Sequence, residues 1–185
     1  MSFRIEHRIG VAAPSHAVWE VLSDLPRWSE WNPLYPQVEG ALRIGETLHL
    51  TERLAGEDRP ISVCIVDWVP DEQILWRSTA LKGWVKRLRF LELEALSEAG
   101  CVFSNGELWE GRYAKMAGGG RRRAYNAAFE ALGEALKTRA EAAWAAKDEA
   151  ERATILRQFA PPPEPEPFFR TPVPPKLGGG LFRRR

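Results

Sequence analysis

Apolar and polar residues alternate strictly at the start of the chain, with Phe3, Ile5, His7, Ile9 and Val11 on one phase and Arg4, Glu6 and Arg8 on the other. A period of two predicts a half-buried strand over 3–11. After Pro14 the period lengthens: Val18, Val21, Leu22 and Leu25 follow i, i+3, i+4, i+7, with Trp19 alongside, which predicts a helix stopped by Pro26. Trp28 and Trp31 stand three apart before Asn32-Pro33, the signature of a one-turn helix over 27–31. From Tyr35 to Gly111 short alternating runs are separated by turn residues, and strands are predicted over 37–42, 46–54, 61–69, 73–80, 85–96 and 101–111. Gly45, Gly56 to Asp58, Pro70-Asp71, Lys82-Gly83 and Glu98 to Gly100 supply the turns. Beyond Gly118-Gly119-Gly120, the stripe Tyr125, Ala128, Phe129, Leu132, Leu136, Ala140 and Ala143 predicts one long helix from about 121 to 146 or further. The order is strand, two helices, six strands, long helix (β-α-α-β6-α): a curved antiparallel sheet of about seven strands with a helix laid across it, in the α+β class.

Composition divides the chain. Of 14 prolines, eight lie within 161–175, and residues 160–185 carry a net charge of +3 against −2 for the rest. The expected organisation is a domain over 1–148, then a helix end and a Pro/Gly-rich basic tail over 149–185, extended and solvated unless something docks it. An overall charge of +1 argues against a polybasic nucleic-acid binder, and no nucleic-acid partner is expected. The longest apolar run is Ala142 to Ala146, too short to span a membrane, and Met1 to Arg8 lacks the apolar core of a secretory signal, so the cytoplasm is the expected location. Cys64 and Cys101 are too few for a disulfide framework or a four-ligand zinc site and read as small buried hydrophobes. No H-x-x-x-H or clustered-carboxylate spacing predicts a metal, and Gly118 to Gly120 lacks the Lys-Ser/Thr of a phosphate loop, so no cofactor is expected. There is no G-x-S-x-G for serine-based hydrolysis.

Three local stretches carry a resemblance. Val18-Trp19-Glu20-Val21-Leu22-Ser23-Asp24, followed by Trp28-Ser29-Glu30-Trp31-Asn32-Pro33, looks like the first helix and W-x-x-W-N-P turn of the SRPBCC superfamily, in its polyketide cyclase/dehydrase and lipid-transport-like branch. Glu107-Leu108-Trp109-Glu110-Gly111 is similar to that family's last strand, and Phe129 to Leu132 through Leu136-Lys137 to Glu141 is similar to its C-terminal helix. The resemblance covers residues 3–146. It implies a START-like, helix-grip fold in which the sheet wraps the long helix around an elongated apolar cavity. It also implies a small hydrophobic ligand such as a lipid, polyketide or aromatic compound, which some members transform. Superfamily membership fixes the fold far better than the reaction.

Parity along the strands selects polar residues that would face such a cavity. Glu52 shares a face with Leu48, Leu50 and Leu54, and Asn105 and Glu107 share one with Phe103 and Trp109, unless a bulge near Gly106 shifts the phase. Glu52 and Glu107 are therefore the candidate acid and base, with Tyr113 or Tyr125 as further candidates, or else polar anchors for a ligand. The competing reading places both glutamates at the sheet rim or in ion pairs with Arg53, Arg77 or Arg87. Candidate ligand contacts are Leu50, Trp76, Phe103, Trp109, Tyr125, Phe129 and Leu132, with Trp28 and Trp31 flanking the cavity mouth. His16 and His49 are expected to face solvent, and His7 to be a satisfied core residue. Three functions remain open: a carrier or sensor of a hydrophobic molecule, a cyclase/dehydratase-type enzyme, and a scaffold whose tail contacts a partner or a membrane surface.

Overall fold

A computed structural model describes residues 2–159. Strand β1 (Ser2–Val11) is followed by helix α1 (Ser15–Ser23), a 3-10 turn (Leu25–Arg27) and the one-turn helix α2 (Trp28–Trp31). Strands β2 (Gln37–Glu39), β3 (Thr47–Leu54), β4 (Glu57–Val69), β5 (Gln73–Ala80), β6 (Val85–Ser97) and β7 (Gly100–Gly111) come next, and the helices α3 (Ala114–Gly119), α4 (Arg122–Ala146) and α5 (Glu149–Phe159) complete the chain. The seven strands form one antiparallel sheet in the order β1-β7-β6-β5-β4-β3-β2. This is the α+β order that the strand and helix periods predict, in the helix-grip arrangement that the resemblance implies.

Register is set by the buried face. The β1–β7 ladder runs without interruption from Ser2↔Glu110 to Val11↔Cys101, passing Glu6↔Gly106, so no bulge disturbs the parity of Asn105 and Glu107. Helix α4 lays Tyr125, Phe129, Leu132, Leu136 and Ala140 on the concave side. It meets β1 at Gly133, where an added Cβ would stand 2.8 Å from His7 Nδ1. His7 thus packs beneath α4, yet its Nδ1 is buried without a hydrogen-bond partner, contrary to the satisfied core residue expected.

Several boundaries depart from the sequence reading for local reasons. Strand β4 begins at Glu57 because Ala55 (φ 53°) and Gly56 (φ 83°) make a two-residue left-handed turn that lets Leu54 pair with Glu57. Pro60 is accommodated within β4 because this part of the strand is paired only on its β3 side, β5 joining from Cys64 onward. Strand β2 stops at Glu39 as Gly40 turns the chain with φ 123° against Leu48.

Helix α3 was not expected. Its Gly118 lies where any Cβ would strike the Phe3 ring, so this glycine serves close packing onto β1. Residues 149–159 form a helix of their own, separated from α4 by the extended Lys147 (ψ 140°) and started by Asp148, whose carboxylate accepts from the Glu151 amide at 2.7 Å. Ile155 and Leu156 pack against the core. No described helix is long and apolar enough to cross a membrane.

Both cysteines are free thiols, and burial pushes that of Cys101 up to about 11. His16 is corrected from exposed to buried: it meets Trp144 of α4 edge-on at 5.7 Å, while His49 is exposed as expected.

Candidate functional site

Four elements bring their inward-facing residues together. Strand β3 contributes Glu52, β6 contributes Arg87 and Arg89, β7 contributes Asn105, Glu107 and Trp109, and α4 contributes Tyr125 and Phe129. Glu52 and Glu107 each keep only 2% of their surface exposed. What holds two carboxylates there is Arg87. Its Nε donates to Glu107 Oε1 at 2.8 Å, and its Nη2 to Glu107 Oε2 at 3.1 Å and Glu52 Oε1 at 2.8 Å. The Tyr125 hydroxyl accepts from Arg87 Nη2 at 3.1 Å and donates to Glu52 Oε2 at 3.3 Å. The Trp109 indole donates to Glu107 Oε2 at 2.8 Å, and the Arg87 guanidinium lies 4.8 Å from the centre of the same indole. Neither carboxylate sits at the rim. Of the three arginines considered as partners, Arg87 is the one, whereas Arg53 pairs with Asp58.

Electrostatics follow from this arrangement. Burial works against the Arg87 charge, but the carboxylates of Glu107 and Glu52 more than reverse it and raise its pKa. Burial raises the Tyr125 phenol above its ordinary value despite the nearby Arg87, which keeps it protonated and able to donate. Charge-assisted hydrogen bonds engage both carboxylates, Glu107 through Arg87 and Trp109 and Glu52 through Arg87 and Tyr125.

A second buried cation lies beside the first. Arg89, 1% exposed, donates to the Tyr35 hydroxyl, the carbonyls of Phe90 and Gly106 and Asn105 Oδ1, and it stacks 4.0 Å from the Phe129 ring centre. Its partners are neutral oxygens and a π-face. Asn105 in turn donates to the Phe129 carbonyl at 3.2 Å, which locks the amide. Tyr35 is pushed up to about 12 by burial, with Arg89 pulling the other way.

Arg89 is absent from the sequence reading, and Arg87 enters it only as one of three possible ion-pair partners. They stand on the same phase as Val85, Leu91 and Leu93, but Leu88 and Phe90 make the opposite phase look equally apolar. Phe90 is buried on the outer face, where the Arg4 guanidinium covers its ring at 4.6 Å.

The candidate ligand contacts divide. Leu50, Trp76, Phe103, Trp109, Tyr125, Phe129 and Leu132 all lie in the core. Phe103, Asn105 and Phe129 are fully enclosed between α4 and the sheet. Trp28 is corrected from cavity mouth to core: its indole donates to the Leu22 carbonyl at 3.0 Å and its ring stacks on Tyr35. Trp31 is half-buried and lines a surface cleft beside Arg139. Tyr113 is exposed and takes no part in the cluster.

Open volume lies at the flank of the cluster. A groove of about 560 Å³ runs between α4 and the β3–β4 turn, lined by Pro33, Leu34, Ala55, Ala124, Ala127 and Ala131, with Arg53 and Arg123 at its edge. It shares two elements with the cluster. Ala124 and Ala128 flank Tyr125 on α4, and Arg53, whose amide bonds the Leu34 carbonyl, follows Glu52 on β3. Among the described residues no group of three or more His, Cys, Asp or Glu is placed to hold a metal.

Comparison with known proteins agrees with the architecture. The fold is similar to that of the Zhui aromatase/cyclase from Streptomyces sp. R1128, with TM-score 0.60, 23% identity, and 76% of this chain and 94% of that one covered. A START superfamily protein from Mycobacterium smegmatis has TM-score 0.60 and 16% identity, covering 75% and 97%. Norcoclaurine synthase from Thalictrum flavum has TM-score 0.60 and 13% identity, covering 76% and 94%. No curated protein sequence matches. Residues 2–147 match the family described as polyketide cyclase / dehydrase and lipid transport. That match extends over the sheet and α4 alike, and the chain belongs to this family.

Proposed function

We propose that the protein binds a small hydrophobic molecule, a lipid, polyketide or aromatic compound, which enters by the groove along α4 and is anchored by the polar cluster behind it. The observation that carries this reading is the pairing of an alanine-faced groove with the buried cluster of Glu52, Arg87, Glu107 and Tyr125, the last standing on the stretch of α4 that lines the groove. A buried ion-pair cluster is an expensive way to fill a core, since apolar packing of the same volume is often as stable or more so. Directional anchoring of a carbonyl or hydroxyl gives it a use that folding does not. Among its structural neighbours are a cyclase and a synthase, at identities that carry the fold alone. Binding without transformation is favoured over catalysis because Arg87, Trp109 and Tyr125 already occupy both carboxylates.

Titration with a fluorescent apolar probe tests the reading, together with native mass spectrometry of freshly purified protein. Micromolar, saturable binding is expected, about −8 kcal/mol. Ala127 is exposed and lines the groove, so Ala127→Trp should block the probe while leaving the melting temperature unchanged. Absence of saturable binding, or equal affinity in that variant, overturns it.

A further inference from the structure

The end of the molecule that carries the β5–β6 hairpin and α3 concentrates exposed apolar side chains. Leu81 (51% exposed) and Trp84 (58%) lie in the hairpin, and Tyr113 (38%) and Met116 (70%) lie on the connection that becomes α3. The two segments are held together, since the Trp84 and Tyr113 rings meet at 6.0 Å and Gly111 packs against the Trp84 backbone. Four large apolar side chains in one exposed cluster are more than scattered surface hydrophobes.

The hairpin is also costly to form. Leu81 (φ 50°), Lys82 (φ 55°) and Gly83 (φ 90°) are consecutive left-handed residues, and only the last is a glycine. A leucine and a lysine in that conformation hold side chains at the tip where Asn or Gly would fold more readily.

Charge is equally uneven. Residues 80–86 and 110–124 hold Lys82, Lys86, Arg112, Lys115 and Arg121 to Arg123, all exposed, against the single carboxylate of Glu110, a net of +6. The remaining described residues hold 14 Lys and Arg against 22 Asp and Glu, a net of −8. Arg121 to Arg123 sit at the N-terminal end of α4, where the helix dipole disfavours cations and no acidic residue offsets them. Neither folding nor the ligand reading uses this arrangement.

We propose that this end of the protein docks on an anionic phospholipid bilayer, with Trp84, Met116, Leu81 and Tyr113 entering the interface and the surrounding lysines and arginines meeting the headgroups. Trp and Tyr suit the boundary between headgroups and acyl chains, and a cationic rim supplies the second signal that stable but reversible attachment needs. Leu81 and Trp84 belong to the hairpin turn, and Met116 stands on the short helix α3 beside it. The docking end adjoins the groove, because Gly120 and Arg123 belong to both.

Vesicle flotation of the full chain tests this. Vesicles of phosphatidylcholine with phosphatidylglycerol should carry the protein, those of phosphatidylcholine alone should not, and binding should collapse at ~1 M salt. Trp84→Ser with Met116→Ser should abolish flotation at unchanged melting temperature. If that variant fails to fold, Lys82→Gln with Lys115→Gln replaces it, and each cation removed should weaken binding about fivefold. Three results overturn the proposal: no binding to anionic vesicles, equal binding to neutral ones, or binding that survives in the variants. The last would route contact through another part of the chain, such as Arg183 to Arg185. Self-association abolished by Trp84→Ser, in a protein that ignores vesicles, would make a second copy the occupant and equally overturn it.

Discussion

Glu107 accepts three hydrogen bonds from Arg87 and Trp109 at a depth where water cannot replace them, and this fixes what its replacement does. Removing one partner of a buried pair typically costs ~3–5 kcal/mol. Glu107→Gln should cost somewhat less, ~2–3 kcal/mol by urea denaturation, because Glu52 still neutralises Arg87 and the amide oxygen still accepts. Tyr125→Phe removes one hydroxyl from the same cluster and should cost about 1 kcal/mol. A Glu107→Gln protein as stable as its parent would mean the pair contributes nothing. Gly133→Ala tests the α4–β1 contact: helix propensity alone favours alanine by ~1 kcal/mol, yet the new methyl group meets the His7 ring. Net destabilisation is expected, relieved when His7→Ala is added; additive effects would refute the contact. Parity placed Glu52, Asn105 and Glu107 on the buried face, because alternation reads directly as sidedness. The same alternation puts Arg53 and Arg77 on the outer face, but Arg87 was not singled out as the partner because Leu88 and Phe90 make both phases of β6 look apolar.

Helix α1 illustrates the same boundary at the level of elements. Its 3.6-residue period gave the helix, but His16 was assigned to solvent because its burial comes from the distant Trp144 and not from its own turn. The turn expected at Gly56 to Asp58 is present but tighter, and Gly118 lies within α3: a glycine announces a break, whereas its partners across the fold decide whether it forms a tight hairpin or a packing contact. The burial of His16 has a pH consequence. Burial lowers its pKa below 6.5, with Asp71 and Glu20 pulling it up and Lys147 adding to the depression. A lowered pKa means the unfolded chain binds the proton more readily, so this contribution is fully present above pH 6.5 and is lost as the pH falls through the folded value. Asp71 acts oppositely: burial raises its carboxyl above 3.8, so stability is regained as protonation sets in at more acid pH. The stability of the protein should therefore decline on acidification below about 6.5. His16→Gln should flatten that decline between neutral pH and the carboxylate range, and an unchanged slope in this variant would remove His16 as its source.

Across the whole molecule, stability and access are arranged along the sheet. The most extensively paired part is the β1–β7–β6 ladder, joined over almost its full length and covered by α4, whereas β2, at the opposite edge of the sheet, meets β3 through only three residue pairs. Residues 57–63 of β4 are likewise paired on one side only. The groove opens at this weakly tied end, between Leu34, the β3–β4 turn and α4. Because Tyr125 and Glu52 are buried behind it, a ligand that reaches them requires a movement of the chain, and the least costly one is at the weakly paired β2–β3 edge. Neither this gradient nor the segregation of charge into a positive end and a negative remainder is visible from a net charge of +1, because each depends on which distant segments the sheet brings together. Amide hydrogen exchange should then show β6 and β7 as the slowest region and the stretch from Leu34 through Leu54, with 57–63, as the fastest part of the sheet. A bound apolar probe should slow exchange in that fast stretch and leave β6 and β7 unaltered. Protection appearing instead along the β1–β7 ladder, or uniformly, would mean that ligand does not enter at the β2–β3 edge.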